Sequence, residues 1–254
     1  MSDTPASQGE AAADEKSHNL KPWLDRWENR RIGFHLSDVN PVLAQFAKDF
    51  LKLPEEEGAC STARVFVPLC GKTVDLAYLA NLSAEVYGVE GIQTALEEFA
   101  EEQAGLKIEN KGAIDGFVRF EGSKITLLKG DYFQLTETQT KGKFEAIYDR
   151  ASMVAIDPAL RKDYVQVISN LIAKGGILLL VVLERVGPEE FTKNGPPFSV
   201  PERAVQELYG DLDWVESITK VDQKDQLKDN PAQQERYAGL EQLLETVYMI
   251  QAKK

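Results

Sequence analysis

The sequence predicts an α/β protein: a doubly wound, mostly parallel sheet with helices on both faces, in a single domain. Three observations carry that expectation. Residues 64–90 (RVFVPLCGKTVDLAYLANLSAEVYGVE) read as strand, turn, helix and strand. Apolar β-forming runs then alternate with helix-periodic segments along the rest of the chain. Residues 176–183 (GILLLVVL) are apolar throughout, as a strand covered on both faces must be.

The elements follow in order. Residues 1–19 are polar and acidic, with neither the apolar stretch of a signal peptide nor the Arg-rich face of a transit peptide, and read as a disordered tail. Order is expected from about residue 20, with residues 20–58 forming a helical cover ahead of the sheet. Pro22 suits the first turn of a helix. Trp23 and Trp27, four apart, share its face and serve either as packing or as a lid across a ligand pocket. Residues 32–38 form a turn that holds Phe34, His35 and Asp38 close together. A helix over 41–51 buries Val42, Leu43, Phe46 and Phe50, and a charged loop at 54–58 leads to the first core strand.

Within 64–90, the strand Val65-Phe66-Val67 runs into Pro68-Leu69-Cys70-Gly71-Lys72. The helix behind it carries Leu76, Leu79 and Ala80 on one face, and the second strand ends on Glu90. Ligands of parallel sheets bind beyond the carboxyl ends of the strands, so Gly71 and Glu90 face one crevice. Gly71 lets backbone approach a ligand closely. Glu90, about 20 residues on, is placed to accept hydrogen bonds from two ribose hydroxyls. A pyrophosphate site needs G-x-G-x-x-G, and no second glycine precedes Gly88; a P-loop needs glycine where Phe66 stands. Both phosphate readings fail on spacing. A cofactor with a ribose and no phosphate fits, and S-adenosylmethionine is the common one.

Beyond Glu90, a helix over 92–104 turns Leu96 and Phe99 inward and an acidic face to solvent. Residues 107–122 read as glycine-rich and irregular, running into a hairpin made of 117–120 and 124–128. Its second arm ends in Gly130-Asp131-Tyr132-Phe133. An acid and two aromatics at a strand tip either bind an adenine or close the strand with an Asp turn. A strand over 143–150 ends in Asp149-Arg150. A helix over 158–173 is expected to stop at Lys174-Gly175-Gly176. After the apolar strand come a rigid loop at 194–201 (NGPPFSVP), a helix over 202–209, and strands at 214–221 and 245–251. The segment between those two strands is polar, mobile-looking, and carries Arg236.

Composition narrows the partners. Asp and Glu number 41 against 29 Lys and Arg, a formal charge of −12 in 254 residues, which argues against nucleic acid or an anionic membrane. Cys60 and Cys70 make neither a disulfide framework nor a metal spacing, and point to a reducing compartment. His18 and His35 cannot build a histidine-rich metal centre, so no metal is expected. No run approaches the ~18 apolar residues of a membrane span. The expectation is a cytoplasmic monomer acting on a small molecule.

Six separated segments resemble the thiopurine S-methyltransferase family, bacterial members especially. They are Ile32-Gly33-Phe34-His35-Leu36, Val65-Phe66-Val67-Pro68-Leu69-Cys70-Gly71-Lys72, Gly88-Val89-Glu90, Gly130-Asp131-Tyr132-Phe133, Tyr148-Asp149-Arg150-Ala151, and Gly195-Pro196-Pro197-Phe198-Ser199-Val200-Pro201. The resemblance spans residues 20 to 252. It implies a Rossmann-like class I methyltransferase, a seven-stranded, mostly parallel sheet using S-adenosylmethionine, with the terminal strand pair usual in that class. It also implies roles. Trp23, Trp27 and Phe34 would cover the cofactor, with residues 20–58 as the lid; Leu69 and Gly71 would line its methionine end. Glu90 would hold the ribose, and Asp131, Tyr132 and Phe133 would surround the adenine. Arg150 would lie between cofactor and acceptor, Asp38 would take a proton, and Arg236 would touch the substrate with Phe34 and Arg150. The reaction implied is methyl transfer to the sulfur of a thiopurine or a related heterocyclic thiol. Rivals are transfer to a small thiol, halide, selenium or tellurium nucleophile, and cofactor binding without catalysis; a nicotinamide-dependent oxidoreductase lacks its glycines.

Overall fold

The computed structural model describes residues 20–56 and 58–254. The tail expected at 1–19, His18 included, lies outside the described residues. Two helices precede the sheet: α1 (Lys21–Glu28) and α2 (Pro41–Leu51). The start of α2 is set by Asn40, whose side chain accepts the Val42 N–H at 2.9 Å, and by Pro41 in the first turn. Then come β1 (Arg64–Val67), α3 (Asp75–Leu82), β2 (Glu85–Glu90), α4 (Gln93–Glu102), β3 (Glu109–Ile114), β4 (Phe117–Gly122) and β5 (Ile125–Lys129). The short α5 (Glu137–Thr140) leads to β6 (Phe144–Arg150), α6 (Arg161–Leu171) and β7 (Ile172–Val186). The chain closes with α7 (Glu189–Thr192), α8 (Glu202–Tyr209), β8 (Val215–Asp225), α9 (Pro231–Arg236) and β9 (Gln242–Ala252).

The strands form one sheet in the order β3-β4-β5-β2-β1-β6-β7-β9-β8. The five central strands, β5 to β7, are parallel. Antiparallel pairs flank them, β3-β4-β5 at one edge and β7-β9-β8 at the other. The sheet therefore has nine strands, not seven. Strand β4 is the first arm of the hairpin expected at 117–128, and β3 is added outside it.

Strand β3 falls where the sequence reads as irregular. Its burial pattern is exposed at every position but the last, so it carries no apolar alternation, and a register break at Asn110 to Ala113 interrupts it. Residues 174–176 do not stop a helix either. Helix α6 ends at Leu171, and those residues lie inside β7, where the pairing with β6 shifts register. In the segment read as mobile, residues 231–236 form α9, with Asn230 accepting the Gln233 N–H at 3.3 Å.

Successive residues of the central strands feed opposite faces. Phe66, Tyr87, Val89 and Leu180 join α6 and α8 on one side, whereas Val65, Val67, Val86 and Leu179 join α2, α3 and α4 on the other. The result is three layers, with the sheet in the middle. Among the described residues, no helix is long and apolar enough to cross a membrane.

Candidate active site

Strands β1 and β2 are parallel with Val67 opposite Gly88, so the turn after β1 and the last residue of β2 share an edge. The turn passes through Leu69 at φ +43° and Gly71 at φ +53°. It is pinned from two sides: Cys70 N–H donates to Val89 O at 2.9 Å, and Ser152 Oγ–H donates to Pro68 O at 2.6 Å. Glu90 completes it. Its two carboxylate oxygens accept the N–H of Gly71 at 2.9 Å and of Ile92 at 2.8 Å. Glu90 is only 7% exposed, and no cation pairs with it among the described residues. Burial pushes its pKa up, against the pull of the N–H groups of Ile92, Gly71 and Gly91. A buried carboxylate without a countercharge is costly unless it is used.

An aromatic cover lies on this turn. Trp27 is buried against Ile92 and Ala95, with Trp23, Ile32 and Phe34 packed around it. Phe34 meets Trp23 and Trp27 edge-on, with ring centres 5.8 Å and 6.0 Å apart. A Cβ on Gly71 would lie 3.3 Å from Trp27 Cζ2. Gly71→Ala therefore combines a left-handed backbone with a tight contact and is expected to destabilise by about 1–2 kcal/mol. Thermal denaturation should show Tm falling by roughly 2–8 °C; an unchanged Tm would mean that neither constraint operates.

Two guanidiniums hold the loop that carries Phe34. Arg150 Nη1, at the tip of β6, donates to Phe34 O at 2.8 Å. Arg236 Nη1, at the end of α9, donates to the preceding carbonyl, Gly33 O, at 3.3 Å. The guanidinium packs close over Gly33, where a Cβ would sit 3.0 Å from that nitrogen. His35 follows in the loop; burial first, then the cations Lys72 and Arg150, lower its pKa. Asp38 is not drawn in with them. It is exposed and accepts a bond from Ser37 Oγ at 3.1 Å.

Gly130 N–H donates to Glu90 O at 3.0 Å, which brings Asp131 to the same edge. Asp131 Oδ1 accepts the Phe133 N–H at 2.9 Å, an Asx turn, and Phe133 stays half-buried. Tyr132 does not join the open lining. The 3-10 turn at Tyr132–Gln134 sends its ring into the core, stacked on Tyr164 at 4.6 Å, with its hydroxyl donating to Tyr164 O at 2.9 Å.

Three features were missed from sequence, and a fourth, the loop expected to be rigid, has its latch shown. Lys72, next to Gly71, is locked by Glu98 at 2.9 Å and Glu102 at 2.5 Å and ties α4 to the turn. Glu245 on β9 has its pKa raised by burial against the pull of Arg150. Asp149 is fully buried beneath Arg150, accepting Tyr164 O–H at 2.8 Å and Met153 N–H at 3.1 Å; burial pushes its pKa to about 6. The 194–201 loop is latched by Arg161 on Ser199 O at 3.0 Å and by Arg185 on Pro197 O at 3.0 Å. The charged end of the 143–150 strand was the one sequence signal for the first three.

The model of the thiopurine S-methyltransferase family matches residues 18–253. A thiopurine S-methyltransferase of Methylococcus capsulatus is 38% identical over 231 residues, covering 91% of this chain and 96% of that protein. One from Pseudomonas paraeruginosa is 38% identical over 229 residues, covering 90% and 97%. The chain belongs to the thiopurine S-methyltransferase family. It is thereby an S-adenosylmethionine-dependent methyltransferase. Among solved structures, the Burkholderia thailandensis 1,6-didemethyltoxoflavin-N1-methyltransferase with bound S-adenosylhomocysteine superposes with a TM-score of 0.57 at 16% identity, covering 100% of this chain and 94% of that one. That likeness concerns the fold, which is the class I methyltransferase sheet. The residues at this edge fit the family's cofactor: a buried acceptor without a countercharge, a turn with no side chain at Gly71, and aromatic groups above it.

Proposed function

We propose that this enzyme transfers a methyl group from S-adenosylmethionine to the sulfur of a thiopurine or a related heterocyclic thiol. The observation that carries the reading is the convergence of Arg150 and Arg236 on adjacent carbonyls of the Phe34 loop, at the edge where Glu90 stands. In this reading Glu90 accepts the two ribose hydroxyls, Asp131 and Phe133 flank the adenine, and Leu69 and Gly71 line the methionine end. Trp23, Trp27 and Phe34 keep water out.

The cofactor supplies an electrophilic sulfonium methyl. The chain's part is alignment, desolvation and charge. Arg150 is anchored through one nitrogen at Phe34 O, which leaves its remaining N–H groups for an anionic acceptor. Thiopurines are partly thiolate near neutral pH, so little base catalysis is needed; Asp38 takes any residual proton through water. A recess of about 190 Å³ between Pro196-Pro197 and Arg236-Tyr237 offers the acceptor ring a seat. The same reading takes the enzyme as a cytoplasmic monomer without nucleic-acid or membrane partners.

The test is methyl transfer from labelled S-adenosylmethionine to 6-mercaptopurine, beside selenite, iodide and a simple thiol. Transfer to the thiopurine supports the reading; transfer only to the small nucleophiles replaces the acceptor. Arg150→Ala is expected to cut turnover by ~10²-fold or more while S-adenosylhomocysteine affinity changes little. Equal losses in both would assign Arg150 to the cofactor instead.

A further inference from the structure

A second charged recess lies at the opposite edge of the sheet. Residues 130–143, between β5 and β6, hold only a 3-10 turn and the four-residue α5 in place of a full crossover helix. One face of β2, β5 and β4 is therefore partly uncovered near the start of β2. A recess of about 410 Å³ opens there, lined by Arg64, Glu85, Arg119, Glu121, Lys124 and Lys141 among others.

Its charges do not cancel. Arg64 and Arg119 lie against the buried Tyr87 ring, 5.1 Å and 5.9 Å from its centre. Arg64 is consumed: it pairs with Glu85 and donates to Lys143 O at 2.8 Å and Thr140 O at 2.6 Å. Arg119 pairs through Nε with Glu121, but its Nη1 is buried with no hydrogen-bond partner, in a residue 8% exposed. Lys124 reaches Ser83 O at 3.1 Å, and neither Lys124 nor Lys141 has a carboxylate partner among the described residues. Each arginine is thus matched by one glutamate, and two ammonium groups remain. That positive spot sits in a chain of formal charge −12. Arg119, in the recess lining, has an Nη1 without an acceptor, which an oxyanion there would supply.

We propose that this recess is a second ligand site, taking a small multivalent oxyanion (a phosphate group) on Arg119, Lys124 and Lys141. It is independent of the methyl-transfer reading and uses none of its residues. Inorganic pyrophosphate is the probe, followed by calorimetry and thermal shift on the full chain, with sodium chloride at matched ionic strength as control. Pyrophosphate is expected to raise Tm of the wild type beyond the chloride control. Its affinity should fall by ~10-fold or more in Arg119→Gln and in the double variant Lys124→Gln/Lys141→Gln. Both lysines are exposed, so the double variant reports even where Arg119→Gln folds poorly. No shift beyond chloride, or equal binding in wild type and both variants, would overturn the site and leave the recess a solvated sheet face.

Discussion

Glu90→Gln is expected to weaken S-adenosylhomocysteine binding by roughly 10²-fold or more, and Glu90→Ala to remove it. In the proposed reading the carboxylate accepts two ribose hydroxyls, and hydrogen bonds to a charged acceptor are worth about 1.5–3 kcal/mol each. Glutamine also sets an NH₂ donor against one of two existing donors, the N–H of Gly71 or of Ile92. Isothermal calorimetry reads the affinity, and far-UV circular dichroism shows whether the fold survives. An affinity for Glu90→Gln within ~3-fold of wild type would reduce Glu90 to a brace between two turns. The pH dependence has a definite sign. Burial raises the Glu90 pKa, so affinity is lost on acidification at a higher pH than an ordinary glutamate would give.

The second large effect lies beneath the site. Asp149 has its pKa raised from 3.8 to about 6 by burial, with the Tyr164 hydroxyl and the Met153 and Ser152 N–H groups pulling the other way. An acid whose folded pKa is raised contributes its full stability below the unfolded value and loses it as pH rises through the folded one. The window here is about pH 4 to 6. Above it the buried charge costs about 3 kcal/mol, at 1.36 kcal/mol per unit. Asp149→Asn mimics the protonated group. It is expected to raise Tm at pH 7.5 by roughly 6–12 °C and to flatten the Tm difference between pH 4 and pH 7. A variant that is less stable than wild type at pH 7.5 would show that the ionised carboxylate is a net anchor for residues 152 and 153.

The parallel centre of the sheet was legible because burial on both faces writes itself as unbroken apolar runs, as at 176–183. Helices α2 and α8 matched their expected spans, since Pro41 and Pro201 punctuate their starts and apolar periodicity fills them. Strand β3 was not legible, because an exposed edge strand needs backbone pairing and no apolar face. At the site, Gly71 and Glu90 were readable from spacing, since the strand–turn–helix–strand unit fixes which edge they share. Tyr132 was not. Asp-Tyr-Phe at a strand tip suits a ligand or a core equally, and only the Tyr164 stack assigns Tyr132 to the core. Lys72 and Glu245 owe their surroundings to segments distant in sequence, and the Tyr164 hydroxyl reaches Asp149 from the next helix, which no local pattern records.

The bond from Arg236 to Gly33 joins residues 203 positions apart. At 5–20 residues per second, a ribosome needs roughly 10–40 s to travel that distance. The Phe34 loop therefore leaves the ribosome long before its second clasp exists. Through that interval the nascent enzyme has its Gly71 turn and Glu90 in hand but an unfastened doorway. The segment that shuts it is made only after β8, with β9 still to follow.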